Sequence, residues 1–265
     1  MLSLTAAAVA LLCGCSITLD GRGSTRHTFT PPTGPDDVVV QVVTAGGYAP
    51  LSSYLRTTAS YTLLGDGTLI VADGDYGDAL VSLEMATIGT AQISDIVKNA
   101  DNAGILGPES DYDQPNVTDM PSTSVAVNVD DTSYSQSAYA LYFDEHDDDL
   151  SGPAQKRRAQ LRDFIDHIDE LATDTVDYAP DAIVIYRLPA DEGSGSEPVK
   201  PWPIATAPPA SNGSPTCIVV DGDEANILAA AAQDADADDL WQVGTETPTT
   251  FAMRPLLPGD KGCEK

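Results

Sequence analysis

The chain has 265 residues, with 41 Asp and Glu against 13 Lys and Arg and a formal net charge of −28. That balance excludes nucleic acid as a partner, because phosphate backbones are recognised by a positive patch. It also excludes electrostatic docking onto anionic lipid. The surplus of carboxylates reads first as a solvated anionic surface, and as a sharper expectation it suits salty surroundings, where counterions screen self-repulsion.

Leu2 to Leu12 is an apolar run interrupted by Ser3 and Thr5. It is too short for a bilayer-spanning helix of about 20 residues, but it suits a signal-peptide core of about 7–15 residues. Leu12-Cys13-Gly14-Cys15 follows and resembles a bacterial lipobox. Residues 1–14 are therefore expected to be a lipoprotein signal peptide, with Cys15 the lipid anchor. Two or more acyl chains would then hold the protein stably at the outer face of the cytoplasmic membrane. No Lys or Arg precedes the apolar run, which departs from the usual charged start. Residues 15–37, rich in Gly, Thr, Ser and Pro, read as a flexible tether that includes His27. Beyond it lie roughly 230 residues, enough for one large domain or two small ones with a core that needs no metal.

Residues 38–175 read as an α+β domain. Val38 to Val43 is a β-branched run closed by Gly46-Gly47, which predicts a strand. Tyr61-Thr62-Leu63-Leu64 and Thr68-Leu69-Ile70-Val71 flank Gly65-Asp66-Gly67, a hairpin signal because the turn requires positive φ. Between Ala91 and Ala103, the positions Ile93, Ile96, Val97 and Ala100 share one helical face, and Gly104 can end the helix. Asp111, Asp113, Asn116 and Asp119 have oxygen ligands suited to a hard cation. They lack EF-hand spacing, and such residues also cap their own backbone in loops, so no metal is assigned. Ser124 to Val129 alternates as a half-buried strand, turned by Asp130-Asp131-Thr132 into a second strand from Tyr134 to Phe143.

An ordered set of motifs runs through this part. It comprises the hairpin Tyr61 to Thr68, the helix end Ala100-Asp101-Asn102-Ala103-Gly104-Ile105-Leu106, and Val117-Thr118-Asp119-Met120-Pro121-Ser122-Thr123 before a strand. Arg254-Pro255-Leu256-Leu257-Pro258-Gly259-Asp260 followed by Cys263 completes it. Together they resemble a family of uncharacterised secreted lipoproteins of actinobacteria. The resemblance implies architecture and location and carries no catalytic residues.

Asp144-Glu145-His146-Asp147-Asp148-Asp149 is the densest run of charge and reads as a solvated loop. Pro153 to Ala172 is the longest expected helix, capped by Ser151 and burying Leu161, Phe164, Ile165, Ile168 and Leu171. Lys156, Arg157, Arg158 and Arg162 crowd its early turns, against the helix dipole. They are expected to pair within the helix, as Arg162 with Asp166, or to bind acidic surface elsewhere.

Residues 176–265 read as a smaller α+β domain with a Pro/Gly-rich loop. Its expected strands are Ala182 to Leu188, Cys217 to Val220 and Thr249 to Met253, with a helix from Glu224 to Asp234. The loop from Asp191 to Pro215, centred on Trp202, is the candidate partner surface. Cys217 and Cys263 remain as an even pair in an oxidising setting, so a disulfide is expected between them. The fold class is thus α+β, with largely antiparallel sheets from hairpins packed by three helices.

No GxSxG, HExxH or Ser-Lys signature occurs, and the three histidines fall in a tether, an acidic loop and a helix. No catalytic residue and no cofactor is assigned. The reading that results is a lipid-anchored cell-envelope protein, non-catalytic, binding an unknown protein or envelope ligand or acting structurally. The alternative is a surface-anchored hydrolase using acidic-loop carboxylates or a metal.

Overall fold

A computed structural model describes residues 28–74, 77–143, 149–189 and 198–263. The expected signal peptide, Cys15, His27, Asp144 to Asp148 with His146, and Asp191 to Glu197 lie outside the described residues.

The fold is α+β, with three sheets among the described residues. Seven strands form the largest: β1 (Val38–Gly46), β2 (Tyr61–Leu64), β3 (Thr68–Asp73), β4 (Ser82–Thr87), β5 (Pro121–Val129), β6 (Thr132–Tyr139) and β7 (Val176–Asp177). Their order is β6-β5-β1-β2-β3-β4-β7, and every pairing is antiparallel. Two turns fix the register. Between β2 and β3, Gly67 has φ +96°, and its missing Cβ lets the Ile88 backbone close on it, with Ile88 N donating to Gly67 O at 2.7 Å. Between β5 and β6, Asp130 and Asp131 both hold positive φ, the geometry of a two-residue hairpin turn.

One face of this sheet is covered by α2 (Thr90–Asn102) and α3 (Gly152–Asp169). Ile93, Ile96, Val97 and Ala100 from α2 and Leu161, Phe164, Ile165 and Ile168 from α3 meet Val40, Leu63, Leu69, Val125 and Val127. These are the helical stripes that the spacing predicts. Ser151 caps α3, its Oγ accepting from Ala154 N at 3.4 Å. The basic cluster of α3 turns to backbone oxygen. Arg158, fully buried, donates to Tyr139 O at 2.9 Å and Ala140 O at 2.6 Å, and Arg162 donates to Leu141 O at 2.8 Å. Those carbonyls turn away from the ladder where Ala140 adopts φ +50°, which ends β6 four residues short of the expected Phe143.

The second sheet is β10-β8-β12, built from β8 (Ala182–Arg187), β10 (Thr216–Asp221) and β12 (Phe251–Pro255). Every residue of β8 is buried because both faces of the sheet are covered. On one face Ile183, Ile185, Phe251 and Met253 pack with Ala225, Leu228 and Ala232 of α4 (Gly222–Ala232) and with Trp241. On the other, Val184, Tyr186, Leu188 and Ala252 pack with Leu55 of α1 (Leu51–Arg56). A two-stranded parallel pair, β9 (Val199–Pro201) and β11 (Leu240–Gln242), completes the set. The disulfide joins Cys217 and Cys263, with Cα atoms 5.8 Å apart. Closing a loop of 46 residues contributes about 4 kcal/mol on the chain-entropy estimate.

Helix α1 goes beyond the three helices expected. Its six residues bury only Leu55, too little apolar pattern to show a helical period. The two halves of the chain also interlock. β7 lies past residue 175 yet pairs with β4 of the large sheet, Leu257 packs with Leu64, Ile70 and Leu83, and Ala79 N donates to Ala235 O at 3.0 Å. Part of the stretch read as tether lies on the large sheet: Phe29 meets Tyr134 edge-on at 6.2 Å. Thr30 N donates to Asp130 Oδ1 at 3.0 Å, and Asp130 N to Thr30 O at 2.9 Å.

Candidate functional site

The candidate site forms where the large sheet, α1 and the small sheet meet. β1 ends at Gly46 and Gly47, with φ of +95° and +82°, so the chain turns back and enters α1 after Pro50. Burial of Leu55 against the small sheet fixes the rotation of this short helix. Ser53, Arg56 and Thr57 stand at i, i+3 and i+4 and so share a face, and that face lines a cavity of about 170 Å³. Thr57 Oγ1 donates back to Ser53 O at 3.1 Å, closing the helix end. Ser60 then joins the sheet, Ser60 N donating to Val42 O at 2.8 Å and Ala72 N to Ser60 O at 3.0 Å. Thr44 of β1, Ala72 of β3, Gly74, Asp78 and Val81 of the β3–β4 connection and Met253 of β12 also line the cavity.

Arg56 is the distinctive group of this cavity. Its Nη1 is buried and has no hydrogen-bond partner, alone in that respect among the described residues. Burial lowers its pKa from the ordinary arginine value, and the charge of Asp238 partly offsets the shift. A guanidinium remains protonated at neutral pH even so. Arg56 thus lines, with Asp78, a cavity that mixes Ser and Thr hydroxyls with the apolar groups Ala72, Val81 and Met253. No sequence motif marks it; the signal that was present is one Arg within Ser52-Ser53-Tyr54-Leu55-Arg56-Thr57-Thr58, in a chain poor in cations.

Trp202, the candidate partner surface, is half-buried. Its ring stacks on Phe251 at 4.4 Å and meets Trp241 edge-on at 5.8 Å, and its Nε1 donates to Thr206 O at 2.9 Å. Glu224 Oε1 accepts from Ala205 N and Thr206 N, both at 3.1 Å. The described part of the loop is thus pinned to α4 and the small sheet through Trp202 and Glu224.

The carboxylates of the 111–119 turn serve their own backbone and the start of α3. Asp113 Oδ2 accepts from Ser151 Oγ at 2.7 Å, and Asp111 Oδ1 accepts from Asp113 N at 2.9 Å. Asp113 and Asp119 hold positive φ, the loop role that Asp tolerates. Among the described residues no three His, Cys, Asp or Glu are gathered to hold a metal, and no helix is long and apolar enough to cross a membrane. His167 stands half-buried on α3 beside Asn99, Asn102 and Asp163, away from Arg56. Comparison with protein-family models, with curated proteins and with solved structures finds no match.

Proposed function

We propose that the chain is a non-catalytic binding module of the cell envelope, lipid-anchored through Cys15 at the outer face of the cytoplasmic membrane and of the actinobacterial lipoprotein type. The single observation that carries the binding role is the Arg56 cavity, a formed pocket of about 170 Å³ lined by a guanidinium, the Asp78 carboxylate, five Ser and Thr hydroxyls and the apolar groups Ala72, Val81 and Met253. Small-molecule sites combine apolar walls with a few polar groups that fix orientation, and this lining has both. The anchor is supported by the Leu12-Cys13-Gly14-Cys15 pattern, and the exported location by the Cys217–Cys263 disulfide, since such bonds persist in oxidising compartments.

Two measurements test this reading. Metabolic labelling with a radioactive fatty acid is expected to tag the wild-type protein and not Cys15→Ala, which should appear in the soluble extracytoplasmic fraction. Equal labelling of both removes the anchor. A mixed panel of small neutral, anionic and cationic compounds is expected to yield at least one that raises the melting temperature of the wild type but not of a variant with the Arg56 cavity filled.

A further inference from the structure

We propose that β6 is a dimerisation edge, through which two copies of the chain pair antiparallel about Ser135 and join their large sheets. The proposal is independent of the Arg56 cavity.

The backbone of β6 offers bonds that the fold leaves unused. Ala140 N donates to Pro121 O at 2.8 Å, and the register of β5 with β6 is unbroken from there to the hairpin turn. Bonded and non-bonded pairs alternate in an antiparallel ladder. Thr132, Tyr134, Gln136 and Ala138 therefore turn their N–H and C=O groups to β5, and Ser133, Ser135 and Ser137 turn theirs away. These three serines are exposed, and among the described residues none hydrogen-bonds their backbone groups. Such a row of donors and acceptors is a template for another strand.

Edges that are kept from pairing are short or bulged, or carry Lys or Pro. The opposite edge of the same sheet follows that rule, since β7 has two residues. β6 has eight, Thr132 to Tyr139, without a charge, a Pro or a bulge.

The edge is complementary to itself. A two-fold axis at Ser135 sets Ser135 against Ser135 of the second copy, and Ser133 against its Ser137. Hydroxyls then meet hydroxyls across strands, as Ser124 Oγ and Ser137 Oγ already do at 3.0 Å. Charge selects the antiparallel sense. Asp130 and Asp131 stand at one end of β6, while Arg158 and Arg162 gather at the other on the carbonyls of Tyr139, Ala140 and Leu141. Antiparallel pairing brings Asp131 of one copy opposite Tyr139 of the other, beside that basic group. Parallel pairing would set the two aspartate pairs against each other. A single strand edge offers less than the roughly 800 Å² per partner of a standard interface, so self-association is expected to be reversible.

The test uses the full chain at about 0.15 M NaCl, where repulsion between the two anionic bodies is screened beyond about 8 Å. Ser133→Cys, Ser135→Cys and Ser137→Cys are oxidised separately, with the wild type as control for the native cysteines. Directly bonded antiparallel partners have Cα atoms about 5.5 Å apart, within the range of a disulfide. Ser135→Cys is expected to cross-link to itself at least tenfold faster than either other variant, whose like positions stand about 13 Å apart across the axis. A mixture of Ser133→Cys and Ser137→Cys should cross-link as a heterodimer. In sedimentation the wild type should pass from monomer to dimer as its concentration rises. Ser133→Glu with Ser137→Glu opposes carboxylates across the axis and should weaken self-association at least tenfold. Both side chains are exposed, so circular dichroism of the monomer should be unchanged.

Equal cross-linking at all three positions would mean random collision and overturn the pairing. A dimer that the glutamate pair leaves intact would lie on another surface and overturn it too, as would a chain that stays monomeric up to its solubility limit. Cross-linking of Ser135→Cys to a different protein in intact cells would give the edge to an extended segment of that partner and overturn the second copy as occupant. None of these outcomes touches the ligand panel for the Arg56 cavity, so the two readings fail separately.

Discussion

Gln136 shows how a single polar residue organises a loop. It is fully buried on β6, and its Nε2 donates to the carbonyls of Ile105 and Pro108 at 3.2 Å and of Gly107 at 3.4 Å. Its Oε1 accepts from Ser110 N at 2.8 Å. Replacing it by Leu keeps the volume but strands these backbone groups, each with a desolvation cost of about 1–3 kcal/mol. Gln136→Leu is accordingly expected to lower the unfolding free energy by about 2–3 kcal/mol in urea titration. A loss below about 0.5 kcal/mol would show that the loop is held by other means. Neither Gln136 nor Arg56 could be singled out from sequence. The alternation of β6 placed Gln136 on the inward face, but its partners lie some thirty positions earlier in a turn-rich stretch without periodicity. The Arg56 cavity is bounded by four separate segments, and spacing within one segment carries no record of it.

At the scale of elements, what the sequence disclosed followed the amount of apolar surface each one buries. β1, β5 and β8, and helices α2 and α3, have long periodic faces and lie close to where the pattern predicted them. β4 reads Ser82-Leu83-Glu84-Met85-Ala86-Thr87, with only Leu83 and Ala86 buried, and gave no clear signal. β7, β9 and β11 have two or three residues each and exist through their partners, Glu84 and Met85 for β7 and the mutual pairing for the other two. Helix termini add a pH dependence. Hydrogen bonds from Ser151, side chain first and then backbone, hold the Asp113 carboxyl below its usual range. Those from Thr206, and then from Ala205, do the same for Glu224. A carboxylate with a lowered folded pKa binds fewer protons than its unfolded form in that window, so its contribution rises with pH. It is complete above the ordinary value near 4 and fades as pH falls through the folded value. Urea midpoints of the wild type and of Asp113→Asn with Glu224→Gln should therefore run parallel above about pH 5 and converge in acid. Curves that stay parallel down to about pH 2 would remove both carboxylates from the ledger of acid stability.

The whole molecule is shaped by its charge. With 13 Lys and Arg for 41 Asp and Glu, at least 28 carboxylates have no cation of their own. Arg187–Glu246, Lys200–Asp239 and Arg254–Asp260 are among the pairs that form. The remaining repulsion is of long range and is screened within about 3 Å at molar salt, against about 30 Å at 0.01 M. The melting temperature is expected to climb as sodium chloride is raised from 10 mM to above 1 M, with most of the gain at the low end. A flat profile would mean that the carboxylates are spaced widely enough not to oppose folding. The contact of Thr30 with Asp130 bears on a different property, resistance to tension. Any pull transmitted from residues before Thr28 reaches the paired Thr30–Asp130 bonds and the Phe29–Tyr134 contact before it reaches β1. Further along, the backbone bond from Gly65 N to Asp37 O at 2.8 Å ties the chain to the β2–β3 turn and acts as a second stop. A pull on Thr28 is thus delivered first to the tip of the β5–β6 hairpin, away from the end of β1 that lines the cavity.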